Sequence, residues 1–270
     1  MNRLGVLGWP VAHSRSPAIH NAALSAMGLA DWHYQRLPVP PMLFEETVRA
    51  LGQAGFKGAN VTIPHKAAAL RLAGEASRTA REIGAANTLT FGEEGQISAE
   101  NTDAPGLIAA LGFSPRGMSA QVLGAGGSAR AVVWALLDAG AGPVWVWNRT
   151  ADRAQGVAEE LGARATGLPR PADLLVNCTS VGLSVERSAT EDRALNQLGL
   201  KGDQVGDYSH VADLVYRTGS TPLLAAARHR GVATTDGLEI LIAQGALSLE
   251  SWTARAVPLD VMRAAATMDP

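Results

Sequence analysis

Apolar and polar positions along this chain follow two different periods, and the changes between them mark the predicted elements. Short apolar runs at residues 4–7, 120–123 and 144–147 predict buried strands, whereas apolar residues spaced three or four apart predict helices between them. No internal repeat or low-complexity segment interrupts the alternation. Strands and helices that alternate in this way are typical of α/β proteins with mostly parallel sheets.

In the first hundred residues the pattern gives two helix starts. Ser16 is predicted to be the N-cap of a helix that has Pro17 in its first turn and ends at Gly28. Residues 58–63 predict a strand, and the helix that follows begins at Lys66. Lys66 is therefore predicted to lie where a strand changes into a helix.

The middle of the chain predicts a doubly wound sheet. The strand at residues 120–123, a glycine-rich turn, a helix and the strand at residues 144–147 form a βαβ unit. Further strands are predicted at residues 173–178, 212–215 and 232–235, which would complete a Rossmann-type sheet.

The glycine-rich turn matches the dinucleotide-binding pattern G-x-G-x-x-G/A in its proper place between strand and helix. Gly124 would allow the tight turn, Gly126 would let the backbone approach a pyrophosphate, and Ala129 would permit close packing of helix on strand. The free N–H groups of the helix N-terminus would bind the anion. The full run is Gly124, Ala125, Gly126, Gly127, Ser128 and Ala129.

The end of the next strand favours NADP over NAD. An NAD enzyme places an acidic residue there against the ribose 2′-hydroxyl, but this chain has Asn148, Arg149 and Thr150. The Arg149 guanidinium suits the 2′-phosphate of NADP, and Arg153 lies one helical turn further on. Asp152 is the acidic residue nearest to this group.

In the first domain, polar side chains collect where strands are predicted to end, and they suit a small polyhydroxylated ligand. Each has an ordinary structural role when taken singly, such as capping a helix or holding a turn. The pattern alone therefore does not decide between these roles and ligand binding. The residues are Ser14, Ser16, Asn60, Thr62, Lys66, Asn87, Thr102 and Asp103.

Composition excludes several classes of protein. A net charge of -2 without a basic block argues against nucleic-acid binding, and no apolar stretch approaches the length of a membrane helix.

The single cysteine, Cys178, cannot form an intrachain disulfide, which fits a reducing cytoplasm. The scattered histidines predict no metal site. The first residues fit a strand and turn better than a signal peptide, so we expect the mature chain to start at Met1.

The length of 270 residues and the order of elements predict three segments. Residues 1–104 would form an α/β substrate-binding and catalytic domain, and residues 105–237 the NADP-binding domain. Residues 238–270 would form C-terminal helices that return to the first domain.

Short motifs over nearly the whole chain resemble those of the shikimate dehydrogenase family. In the first domain they are residues 11–17, 60–66, 84–88 and 101–103, and further on residues 124–130, 148–150, 213–216, 221–224 and 236–244. Two stretches depart from the family pattern, because Arg217 and Thr218 stand where a proline is often found, and no Met-Pro pair follows Gly182.

The resemblance implies an NADPH-dependent, reversible reduction of 3-dehydroshikimate to shikimate in chorismate and aromatic amino acid biosynthesis. It implies that Lys66 and Asp103 are the catalytic pair. The substrate would be bound by Ser14, Ser16, Asn60, Thr62, Lys66, Asn87, Thr102, Asp103, Tyr216 and Gln244. NADP would be bound by the glycine-rich turn together with Asn148, Arg149, Thr150, Arg153, Leu214 and Gly237.

The proposed pair must serve both directions of the reaction. A charged Lys66 would donate a proton to the alkoxide formed in reduction, whereas oxidation needs a neutral lysine. The Asp103 carboxylate favours the charged ammonium and burial opposes it.

Three alternatives stay open. The first is a quinate/shikimate dehydrogenase of broader substrate and cofactor range, although the pair Ser14 and Ser16 favours shikimate. The second is a methylenetetrahydrofolate dehydrogenase, for which the sequence shows no pterin-stacking site, and the third is a non-catalytic NADP-binding sensor. The sequence does not define the oligomeric state, and a homodimer is left open.

Overall fold

Two six-stranded sheets organise the chain, one in each of two units. The computed structural model describes residues 1–183, 191–217 and 219–267. Unit 1 combines Met1–Gly106 with Leu241–Pro270, and unit 2 is Leu107–Ile240. Within the described residues, no helix is both long enough and apolar enough to cross a membrane.

The sheet of unit 1 is mixed. Its strand order is β2-β1-β3-β5-β6-β4; β1 runs parallel to β2 and β3, β5 runs antiparallel to β3 and β6, and β4 runs parallel to β6. The elements are β1 (Asn2–Gly8), α1 (Ser16–Ala26), β2 (Trp32–Pro38), α2 (Phe44–Gln53), β3 (Phe56–Val61), α3 (Lys66–Leu72), β4 (Glu75–Ala76), α4 (Arg78–Ile83), β5 (Thr88–Phe91), β6 (Ile97–Glu100) and α5 (Asp103–Leu111).

Helix α2 shows how this sheet is covered on one face. Its first turn is acidic and its buried side chains recur every three or four residues, so one stripe of the helix is apolar. Val48 and Leu51 from this stripe belong to the same core cluster as Val61 of β3 and Leu89 of β5. Burial of such side chains, at roughly 1.5–3 kcal/mol each, stabilises the unit.

The start of α1 differs from the sequence prediction, which made Ser16 its N-cap. Arg15 occupies the cap position without a side-chain cap hydrogen bond, and Ser16 is the first helical residue. The Ser14 hydroxyl instead accepts a hydrogen bond from the Ser16 backbone N–H at 3.3 Å. The predicted end is correct, because Gly28 follows the C-cap with a left-handed φ of 72°.

Unit 2 has an all-parallel sheet of order β12-β11-β10-β7-β8-β9, which confirms the doubly wound sheet predicted from the sequence. Strand β11 ends two residues earlier than predicted, because the Val215 backbone N–H donates to the Asp213 carboxylate. The elements are β7 (Ala120–Leu123), α6 (Gly127–Asp138), β8 (Val144–Trp147), α7 (Ala151–Leu161), β9 (Arg164–Ala165), β10 (Leu174–Asn177), α8 (Glu191–Gln197), β11 (His210–Asp213), α9 (Pro222–His229) and β12 (Ala233–Thr235).

Two helices follow, α10 (Gly237–Thr253) and α11 (Leu259–Thr267). Residues from Leu241 onward belong to unit 1, so the greater part of α10 and all of α11 are counted with the first sheet. Helix α10 therefore supplies side chains to unit 1 from far along the sequence.

On the buried face of α1, a histidine is held in its neutral form. His20 is 1% exposed, and its ring stacks on the Tyr34 ring with 4.1 Å between centroids. Its Nδ1 lies 2.8 Å from the Ser16 carbonyl oxygen, so the neutral ring carries its proton on Nδ1. Burial lowers the pKa of His20 to about 4, which the hydrogen bonding of the ring to backbone only partly offsets.

We expect His20 to make the protein less stable as the pH falls. The unfolded chain protonates near its ordinary pKa of about 6.5 while the folded chain does not, so stability present above that pH is lost on acidification. Between pH 7 and pH 5 this loss is about 2 kcal/mol. Urea unfolding at pH 7 and at pH 5 measures this loss of stability. The loss should be smaller in His20→Gln than in the wild type, and unchanged in the control His33→Gln, which replaces an exposed histidine of β2. An identical pH dependence in His20→Gln and the wild type would contradict this assignment.

Candidate active site

The strand directions of unit 1 bring four chain segments to one edge of its sheet. Parallel strands β1 and β3 both end at this edge, at Gly8 and Val61. Antiparallel β5 begins there at Thr88, and β6, which is antiparallel to β5, ends there at Glu100. Polar residues that follow β1, β3 and β6, or precede β5, must therefore lie close together.

Lys66 and Asp103 form an ion pair at this edge. Lys66 Nζ lies 2.6 Å from Asp103 Oδ2, and the two side chains are 10% and 16% exposed. Each residue begins a helix, α3 and α5 respectively. The positive end of a helix dipole favours the Asp103 carboxylate but disfavours the Lys66 ammonium, so the ammonium depends on its partner for compensation.

The Asn87 side chain orients this pair. Its Nδ2 lies 3.0 Å from Asp103 Oδ1, 2.9 Å from Thr102 Oγ1 and 3.0 Å from Gln244 Oε1. Its Oδ1 accepts a hydrogen bond from the Thr102 backbone N–H at 2.7 Å. Because the amide nitrogen carries two hydrogens, it can satisfy only two of its three acceptors at once. The remaining acceptor suits a donor such as a ligand hydroxyl.

A layer of buried polar residues supports Asn87 from beneath. Asn60 accepts a hydrogen bond from the Tyr34 hydroxyl at 2.8 Å and donates to Ser248 Oγ at 2.9 Å. Ser248 Oγ also lies 2.8 Å from Thr88 Oγ1 and 3.0 Å from Thr102 Oγ1. The structure thus places the Asn60 amide among protein groups, although the sequence predicted that it would contact substrate.

Tyr34, Thr88 and Ser248 are members of this layer that the sequence reasoning missed. A signal existed for Ser248, because it lies one helical turn after Gln244 in α10 and so shares its face. Tyr34 lies buried in β2, where no strand was predicted, so no sequence signal pointed to it.

The loop after β1 and the residue after β3 add hydroxyls to the same edge. Ser14 and Ser16 are each 4% exposed, and half-buried Thr62 directly follows β3. The Arg36 guanidinium donates twice to the Ser14 carbonyl oxygen, at 3.0 and 2.7 Å, which fixes the loop and brings a positive charge near the start of α1. This arrangement suits an anionic group of a polyhydroxylated ligand.

In unit 2, the glycine-rich turn has the geometry that a pyrophosphate requires. Gly124 has a φ of 112°, and a Cβ on it would lie 3.2 Å from the Cys178 backbone. Gly126 is the N-cap of α6, and a Cβ on it would meet no protein atom within 4 Å, so the backbone is open to a ligand. Ala129 is fully buried, as close packing of α6 on the sheet demands.

The remaining residues predicted to bind NADP also lie in unit 2. Arg149, Thr150 and Arg153 are exposed where β8 leads into α7, and Asn148 Nδ2 donates to the Thr150 carbonyl oxygen at 2.9 Å. Leu214 directly follows β11, and Gly237 begins α10. The predicted substrate contact Tyr216 lies two residues after Leu214. A Cβ on Gly237 would lie 2.5 Å from the Val215 carbonyl oxygen, so packing also requires glycine there.

Two features of the sequence cannot be placed. Residues 184–190, in the segment after Gly182 that lacks the family's Met-Pro pair, lie outside the described residues, and so does Thr218, which with Arg217 replaces the family's proline. Among the residues that are described, no group of three His, Cys, Asp or Glu side chains could hold a metal ion.

Comparison with known proteins points to one family. The family model for the shikimate dehydrogenase substrate binding domain matches residues 6–89, that for shikimate / quinate 5-dehydrogenase matches residues 110–184, and that for the shikimate 5′-dehydrogenase C-terminal domain matches residues 237–267.

Individual relatives agree over almost the full length. A shikimate dehydrogenase (NADP(+)) of Methylobacterium radiotolerans is 45% identical over 93% of this chain and 90% of its own. One from Methanopyrus kandleri is 42% identical over 98% and 94%. The crystal structure of shikimate 5-dehydrogenase from Thermus thermophilus, in complex with NADP(H) and shikimate, superimposes with a TM-score of 0.87 at 41% identity and covers 98% of both chains.

We expect Gly126→Ala to weaken NADP binding without unfolding the protein. The new methyl group has free space in the protein, so the free energy of unfolding should change by less than about 1 kcal/mol. It would stand where the backbone must approach the pyrophosphate, so the Kd for NADP should rise at least about tenfold. Calorimetric titration and urea unfolding measure the two effects. Unchanged NADP affinity would show that the turn does not bind the pyrophosphate.

Proposed function

The chain belongs to the shikimate dehydrogenase family, and on that premise we propose that Lys66 and Asp103 carry out its chemistry. It is an NADP-dependent oxidoreductase that interconverts 3-dehydroshikimate and shikimate, in chorismate and aromatic amino acid biosynthesis. The observation that carries the proposal for the pair is the contact of 2.6 Å between Lys66 Nζ and Asp103 Oδ2.

The pair would manage the proton of the reaction. Bound NADPH supplies a hydride to the carbonyl carbon, and negative charge then develops on the carbonyl oxygen. The Lys66 ammonium stabilises this oxygen and donates a proton to it, while Asp103 holds the ammonium in place. In the reverse direction a neutral Lys66 accepts the proton of the substrate hydroxyl.

The remaining residues of unit 1 would orient the substrate. We assign the carboxylate to the loop of Ser14 and Ser16, where the helix dipole and the nearby Arg36 favour an anion. Thr62, Asn87 and Gln244 would hold the ring hydroxyls. Tyr216, which follows β11, stays a predicted substrate contact. Asn60 and Thr102, whose side chains bond within the protein, would act mainly by fixing Asn87.

The cofactor would lie along the carboxyl edge of the sheet in unit 2. The turn from Gly124 to Ala129 would bind the pyrophosphate. Residues 148–150 and Arg153 would bind the 2′-phosphate, and Leu214 and Gly237 would contact the other end of the molecule.

The proposal also covers where the enzyme works in the cell and whether it forms a homodimer. We propose a cytoplasmic enzyme, because the single Cys178 leaves no intrachain disulfide to form in an oxidising compartment. The hydrogen-bonded cluster around Asn87 comes from one chain, so a homodimer is not needed to build it. Multi-angle light scattering would measure whether a homodimer forms.

Activity with shikimate and quinate, each with NADP and NAD, tests the substrate and cofactor assignments together. The pair Ser14 and Ser16 favours shikimate, and the absence of an acid after β8 favours NADP. We therefore expect the highest kcat/KM with shikimate and NADP. Comparable values with quinate would identify the broader quinate/shikimate dehydrogenase instead.

Lys66→Ala should abolish most turnover while NADP still binds. Loss of a proton donor at the reacting oxygen should lower kcat at least about 100-fold. Fluorescence titration should give an unchanged Kd for NADP, because the cofactor residues lie in unit 2. The matched variant Lys57→Ala removes an exposed lysine of β3 and should keep wild-type kcat. A kcat near the wild-type value in Lys66→Ala would remove Lys66 from the mechanism.

Arg149→Ala should narrow the preference for NADP over NAD. The lost guanidinium would contact only the 2′-phosphate, so we expect the Kd for NADP to rise about tenfold or more and that for NAD to stay constant. Arg116→Ala is the matched control, because Arg116 is exposed and precedes β7, at the opposite edge of the sheet. Equal losses for both cofactors would mean that Arg149 does not read the 2′-phosphate.

A further inference from the structure

A fully buried carboxylate lies at the end of β11, outside both groups of residues assigned so far. Asp213 is 0% exposed and accepts hydrogen bonds from three donors. Asn177 Nδ2 and the Val215 backbone N–H donate to Oδ1 at 2.8 and 3.0 Å, and Thr221 Oγ1 donates to Oδ2 at 2.7 Å.

These bonds fasten both ends of the connection between β11 and α9. Val215 lies just after β11, and Thr221 is the N-cap of α9, where its hydroxyl also accepts a hydrogen bond from the Leu224 N–H at 3.2 Å. Asn177 ends the neighbouring strand β10. One carboxylate therefore holds together two strand ends and a helix start.

The arrangement is costly for stability. Burial raises the pKa of Asp213 to about 7, against the lowering effect of its three hydrogen bonds, and the nearby Asp236 carboxylate raises it further. The three donors are neutral groups, so none of them provides a compensating charge. A buried carboxylate of this kind is more often found at functional sites than in purely structural positions.

The place of Asp213 indicates which part of the cofactor it serves. The sheet order is β11-β10-β7-β8, so the loops after these parallel strands lie side by side at one edge. Arg149 follows β8 on one side of the glycine-rich turn, and residues 214–216 follow β11 on the other. A dinucleotide with its pyrophosphate at the turn and its 2′-phosphate near Arg149 must extend its nicotinamide half toward β10 and β11.

Contacts between neighbouring loops support this direction. The Leu214 backbone N–H donates to the Asn177 carbonyl oxygen at 2.9 Å, and a Cβ on Gly124 would lie 3.2 Å from the Cys178 backbone. The chain after β11 is therefore packed beside the chain after β10, which in turn touches the glycine-rich turn.

We propose that Asp213 is a positioning residue for the cofactor, whose carboxylate holds residues 214–216 in the shape that receives the nicotinamide half of NADP. This inference rests on the proposed function, because it assumes that unit 2 binds NADP. Asp213 acts through the backbone that it fixes, and not by contact with substrate or cofactor.

The variant Asp213→Asn tests the proposal, because it keeps the size of the side chain but presents an NH₂ group to one of three donors. We expect the Kd for NADP, measured by calorimetric titration, to rise about tenfold. Adenosine 2′,5′-bisphosphate lacks the nicotinamide half, and its Kd should stay within about twofold of the wild type. In steady-state assays the KM for NADP should rise as well. Equal weakening of both ligands, or of neither, would overturn the proposal.

Asp173→Asn is the matched control in the same unit. The Asp173 carboxylate also accepts hydrogen bonds from a backbone N–H and a hydroxyl, both of Ser119, at 2.8 and 2.7 Å. It precedes β10, at the opposite edge of the sheet. Asp173→Asn should leave the Kd for NADP unchanged, and a rise equal to that of Asp213→Asn would contradict a specific role for Asp213.

A second pair of variants keeps the test decisive if Asp213→Asn does not fold. Thr221→Ser retains the hydroxyl that donates to Asp213 and should bind NADP like the wild type, whereas Thr221→Val should show the same selective loss of NADP affinity. Equal affinities in Thr221→Ser and Thr221→Val would overturn the inference. Failure of the wild type to bind NADP would instead overturn the proposed cofactor site, and the two failures are thus distinguishable.

Discussion

The buried amide of Asn87 is the interaction on which the candidate active site depends. It joins Asp103, at the start of α5, to Gln244 of α10, and its own oxygen is fixed by the Thr102 backbone N–H. An amide whose nitrogen and oxygen are both hydrogen-bonded to protein groups has one favourable orientation, and this orientation positions the Asp103 carboxylate. The Asp103 carboxylate in turn positions the Lys66 ammonium through their ion pair. The geometry of the proposed catalytic pair is thus set by a residue that precedes an antiparallel strand, rather than by the pair itself.

Features that depend on neighbouring residues could be predicted from the sequence. The glycine-rich turn, α6 and β8 follow one another within about thirty residues, and each is marked by local steric or capping requirements. Gly124 illustrates this, because its left-handed φ can be expected from the motif alone. The start of α3 at Lys66 was predicted for the same reason, since the end of a strand and the start of a helix carry local signals.

Features that depend on distant residues could not be predicted. Strands β5 and β6 are antiparallel, and the four residues in each give too short a pattern to fix their pairing. The Asn60 amide was expected to face a ligand, yet its partner Ser248 lies 188 residues away in the sequence. The predicted N-cap of α1 was wrong for a different, local reason. The Ser14 hydroxyl accepts a hydrogen bond from the Ser16 backbone N–H, and Arg15 takes the cap position.

The return of α10 to unit 1 has a consequence for the order in which the protein is made. Unit 2 is one uninterrupted stretch, Leu107–Ile240, whereas unit 1 consists of two stretches separated by it. Because translation proceeds from the N-terminus, Asn60 and Asn87 leave the ribosome long before Ser248 reaches them. Until then their amides lack partners that the finished site supplies. The unit that is encoded second can therefore fold first, and the sheet edge that carries Lys66 and Asp103 is completed only when the last helices have been synthesised.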